Sequence, residues 1–84
     1  MSYPVDESTA AFDVRKELAK ARNGHAPMHG PHEGYAVILE EVEELWAEVK
    51  KKKRDFELMK NECIQIAAMA IKFYEDICEK ENYR

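Results

Sequence analysis

Apolar residues recur along this chain at the spacing of helix faces, in three stretches separated by short polar breaks. The second stretch is the most regular. Tyr35, Ile38, Leu39, Val42, Leu45, Trp46 and Val49 fall within an arc of about 120° when each residue advances by about 100°. This pattern predicts a helix over 31–51, with Pro31 suited to its first turn. The first stretch is thinner: Ala11, Val14, Leu18 and Ala21, with Phe12 beside them, predict a helix over 8–22 that stops at Asn23-Gly24 and lies over a core. The third is predicted over 55–81, with Asp55 as its N-cap. Residues 23–33 form the one real loop, and 1–7 read as a loose tail.

From Cys63 to Ile71 the third stretch is apolar on nearly every side, and a helix of that kind has to be covered all round. Two other helices from 84 residues cannot supply that cover. The expected architecture is therefore all-α. An antiparallel hairpin of the second and third helices, plus the N-terminal helix, forms one domain over 1–84 with its loop at 23–30. Homo-oligomerisation to a dimer or tetramer then completes the bundle.

Composition narrows the functional classes. Charged residues make up 36% and the hydrophobic set 45%, the balance of a folded chain. A formal net charge of -4 makes the molecule no general magnet for nucleic acid or acidic membranes. No run of 18 apolar residues occurs and the start lacks the basic and apolar regions of a signal peptide, so a cytoplasmic location without a membrane span is expected. Cys63 and Cys78 belong to one predicted helix, about 22 Å apart, too far to bridge. They read as small buried hydrophobes.

The chemistry-bearing cluster is Glu40-Glu41-Val42-Glu43-Glu44. With Glu40 at zero, Glu44 lies at about 40°, Glu48 at about 80° and Glu41 at about 100°, on one flank, while Glu43 points away. Like charges so close repel by a few tenths of a kcal/mol per pair, and a cation removes that penalty. Glu62 and Gln65, one turn apart on the third helix, adjoin its most apolar part. If the two helices pack antiparallel across a short turn, Glu44 and Glu62 face each other. Carboxylates converging between helices suit a hard divalent cation such as magnesium. The competing reading is a solvated acidic face balanced by Lys50–Lys53.

The pair of motifs, Glu40-Glu41-x-x-Glu44 and then Glu62-x-x-Gln65, resembles that of the MazG-like all-α nucleoside triphosphate pyrophosphatases, as does the lead-in His32-Glu33-Gly34-Tyr35-Ala36-Val37. The resemblance spans roughly residues 32–74. It implies hydrolysis of a nucleoside or deoxynucleoside triphosphate to monophosphate and pyrophosphate, with Mg2+ (or Mn2+ as a substitute), in nucleotide-pool control. It further implies Glu40, Glu41, Glu44, Glu62 and Gln65 as metal ligands, with Glu41 and Glu44 as the catalytic carboxylates. The departure is Gln65, where the family pattern has aspartate. An amide oxygen can ligate but brings no charge, so the metal is held more weakly, or Gln65 contacts substrate, or catalysis has been lost. In the last case the chain is a helical interaction module of the same fold.

Other residues have plainer readings. His25, His29 and His32 share a loop without the four ligands of a structural zinc site. His32, at the start of the carboxylate helix, is the histidine best placed to reach a nucleotide. Lys72 lies seven positions after Gln65 on nearly the same face and is a candidate phosphate contact. The Lys50–Arg54 run fits a solvated helix end favoured by the helix dipole.

Overall fold

The structure is a computed structural model and describes residues 8–81; the tail expected over 1–7 lies outside the described residues. All regular structure among the described residues is helical. Helix α1, Thr9–Gly24, opens on Ser8, whose side chain accepts a hydrogen bond from the Ala11 N–H at 3.1 Å. It ends where His25 turns extended, one residue beyond the Asn23-Gly24 stop. Helix α2, Pro31–Val49, has Pro31 in its first turn, where a missing N–H costs nothing. It ends two residues short of the expected 51. There Arg54 Nε donates to the Val49 carbonyl at 3.0 Å, a helix-end role for part of the basic run.

Helix α3, Phe56–Phe73, starts at Asp55, whose carboxylate accepts from the N–H groups of Glu57 and Leu58 at 3.0 and 3.2 Å. It passes directly into a π-helical turn, Tyr74–Cys78, and a last α-helical segment, Glu79–Glu81. The third helical stretch thus has the expected extent, with one wider turn that a regular period does not announce.

Helix α3 lies between the other two and packs on both. Gly34, near the start of α2, sits against Phe73 and Ile77 at the far end of α3, while Glu41, Glu44 and Glu62 meet nearer the 50–55 connection. The α2–α3 pair is therefore antiparallel. Helix α1 runs alongside α3 in the same direction: Asp13 and Lys16 share a groove with Glu57 and Lys60, and Arg22 pairs with Glu75.

The interior is small. Leu18, Ala21, Met28, Ala68 and Ile77 are buried, and among the described residues no large side chain is completely enclosed. The apolar arc of α2 divides in two. Ile38, Leu45 and Val49 are half-buried, while Tyr35, Leu39, Val42 and Trp46 form an outward stripe. Phe56, Ile71 and Tyr74 are exposed on the third helical stretch. Cys63 and Cys78 are exposed too, which corrects the expectation that they are buried. Cys63 stands seven residues from Phe56 and from Ala70, on a side of α3 that neither α1 nor α2 covers. No helix among the described residues is long and apolar enough to cross a membrane.

Candidate metal centre and adjoining cavity

Helix α2 presents Glu41 and Glu44 one turn apart, and antiparallel packing brings Glu62 of α3 against them. A carboxylate oxygen from each of the three lies within 4.8 Å of the others. Glu41 and Glu62 are half-buried; Glu44 is exposed. Opposite ligands of a magnesium ion stand about 4 Å apart, so small side-chain shifts suffice for common coordination.

The electrostatics are those of a site short of positive charge. Burial, then the charge and hydrogen bonding of Glu44 and Glu62, push the Glu41 carboxyl up to about 7. Burial and the neighbouring Glu44 also raise Glu62, with Glu48 adding to the repulsion. Glu62 Oε2 is buried with no hydrogen-bond partner, and so is Glu48 Oε1. Buried acceptors left unpaired are costly, and a bound cation is one group that would satisfy the Glu62 oxygen. The donor set therefore fits a hard cation. Glu48 stands outside the ligand set expected from the motif. Its angle on the carboxylate flank was the signal for it, and its Oε2 is held by Lys51 Nζ at 2.8 Å.

The remaining expected site residues are placed differently. Glu40 is exposed on α2, outside the three-carboxylate group, and lines the adjoining cavity instead. That cavity, of about 510 Å³, lies between α1, the loop before α2, α2 and α3, and Glu41 and Gln65 both line it. His25 and His29 border it, whereas His32 is exposed on the first turn of α2. His29 is tied to Glu33, whose Oε2 accepts its backbone N–H at 3.2 Å.

Lys72 also borders the cavity, but its ammonium is buried and engaged: Nζ donates to Asp76 Oδ2 at 2.6 Å and to the Ala26 carbonyl at 3.1 Å. Asp76 in turn accepts from the Met28 N–H at 3.0 Å. Burial opposes ionisation of Asp76, yet the hydrogen bonds from Lys72 and Met28 hold its carboxyl below the usual range. The pair thus fastens the loop that walls the cavity onto α3. For Lys72 to grip a phosphate it has to spend its one remaining donor or release these partners.

Comparison of the chain with family models, with curated proteins and with solved structures finds no match.

Proposed function

We propose that this chain is a magnesium-dependent nucleoside triphosphate pyrophosphohydrolase that cleaves the anhydride between the α and β phosphorus atoms, releasing a monophosphate and pyrophosphate. The observation that carries the proposal is the convergence of Glu41, Glu44 and Glu62 within 4.8 Å, supported by the partnerless Glu62 oxygen. These carboxylates stand at the positions where the sequence resembles the MazG-like motif pair. Magnesium, when bound, supplies charge neutralisation for the phosphates and acidifies a water.

The chain's own contribution is to hold three carboxylates on two packed helices, so that they are already gathered before substrate arrives. In the metal-free chain Glu41 is the carboxylate poised to exchange a proton near neutral pH, and with Glu44 it is the catalytic candidate. The outward stripe of Tyr35, Leu39, Val42 and Trp46 supports a homo-oligomer, since so small a domain seldom leaves such a face in water. Gln65 supports the second reading, an interaction module that keeps the fold without the reaction.

Pyrophosphate release from a panel of ribo- and deoxyribonucleoside triphosphates, with and without magnesium, tests the proposal. Magnesium-dependent release that Glu62→Gln abolishes is the expected result. No release from any nucleotide, together with no magnesium-dependent rise in melting temperature, favours the module.

A further inference from the structure

The carboxylate cluster accounts for one end of a nucleotide; the cavity beside it has no role yet. At about 510 Å³ it falls within the roughly 300–1,000 Å³ of small-molecule sites. Its lining combines apolar groups from several elements, among them Met28 of the loop, Val37 of α2 and Met69 of α3. Glu41 belongs both to this lining and to the carboxylate cluster. A ligand whose phosphates sit at the cluster therefore has the cavity as the nearest place for its other end.

We propose that the cavity receives the base of the nucleotide and that the Gln65 side-chain amide reads the edge of that base, leaving cation binding to Glu41, Glu44 and Glu62; this rests on the pyrophosphohydrolase reading above. Thioethers are polarisable and adaptable and make favourable contacts with aromatic rings, so Met28 and Met69 suit a flat heterocycle. Gln65 stands one turn after Glu62 and lines the cavity. Its amide offers a donor pair and an acceptor side by side, matching the adjacent donor and acceptor on a base edge. An aspartate offers acceptors only when ionised, and it adds a fourth negative charge to a cluster that already repels itself. The departure from the family motif thus exchanges a charge for a hydrogen-bonding edge at the cavity wall. Gln65 also borders a second groove, beside Lys16, Lys20, Glu57 and Lys60. That groove is largely charged, with Ile64 as its one apolar side chain, and offers a ring little to stack on.

The test uses the full chain carrying 13C-methyl methionine, titrated with adenosine, guanosine, cytidine and uridine without metal, and with ribose 5-phosphate as control. At least one nucleoside is expected to shift the Met28 and Met69 methyl signals while Met59 stays still and ribose 5-phosphate shifts neither. Absence of such shifts with all four nucleosides overturns the proposal. In turnover, Gln65→Leu is expected to shrink the kcat/KM ratio between the best and poorest bases by about 10-fold or more, with the magnesium half-saturation unchanged. A moved half-saturation with an unmoved base ratio makes Gln65 a metal ligand instead, and the proposal fails. The two levels separate cleanly. Nucleoside shifts without pyrophosphate release sink the reaction and keep the base site; equal release from every base without methyl shifts does the reverse.

Discussion

A Cβ added to Gly34 would stand 2.5 Å from Cδ2 of Phe73 and 2.9 Å from Cδ1 of Ile77. Glycine is needed there for closeness, because its φ is not positive and no turn requires it. This contact sets how near the start of α2 approaches the end of α3. Gly34→Ala gains roughly 1 kcal/mol of helix propensity but forces Phe73 or the backbone aside, at about 1–3 kcal/mol. The expected net result is a lower denaturant midpoint. An alanine variant as stable as the parent contradicts so tight an approach.

Lys72 and Asp76 form the most enclosed ion pair in the chain's described part, with side chains 5% and 15% exposed. Lys72→Met leaves the part-buried Asp76 with only the Met28 N–H and the charge of Lys80, a change that costs up to about 3–5 kcal/mol. Asp76→Asn keeps an acceptor for the Met28 N–H and is expected to cost less. Urea unfolding followed by circular dichroism orders the three proteins. If Lys72→Met is the milder variant, the loop is not fastened in this way.

The raised Glu41 carboxyl has a definite signature in pH. Its folded value of about 7, against 4.5 for an ordinary glutamate, means that the folded chain binds the proton more tightly than the unfolded chain. The stabilisation is therefore fully present below about 4.5 and is lost as pH rises through 7. Glu62 shifts in the same direction, whereas the lowered Asp76 acts in more acid solution, outside this window. Metal-free protein is expected to lose stability between pH 4.5 and 7, and Glu41→Gln to flatten that slope and stabilise the chain at pH 8. Stability that climbs across the same interval means that the three carboxylates do not crowd one another.

Under the proposed function, divalent cations are expected to relieve this penalty. Magnesium or manganese is expected to raise the melting temperature at pH 8, less so at pH 6 where protons compete. Gln65→Asp is expected to lower the magnesium concentration needed for half the effect, by adding a fourth carboxylate beside Glu62. Unchanged metal binding in that variant counts against the metal-site reading itself.

The outward stripe on α2 gives a prediction about assembly. Sedimentation at tens of micromolar is expected to show more than one chain per particle, and Val42→Glu combined with Trp46→Lys to yield monomers. A monomeric parent chain disproves the homo-oligomer.

The helices and their caps were legible in the sequence because they depend on near neighbours. Pro31 and Asp55 act within three residues of themselves, and an apolar period of 3.6 is a property of one helix alone. The flank shared by Glu41, Glu44 and Glu48 was equally visible as a set of angles. Spacing also set Glu44 opposite Glu62 for an antiparallel pair, as the structure has it; what it left open was which other carboxylate of the flank joins them, because this depends on how deeply α2 and α3 settle into each other. The tertiary structure placed Glu40 at a cavity wall, tied Lys72 to Asp76, and turned Cys63 outward. Each outcome is set by residues far apart in the chain, such as Ala26 and Lys72 or Gly34 and Phe73, whose contacts leave no periodic trace. Helical period specifies which side of a rod is apolar; only packing decides what that side touches.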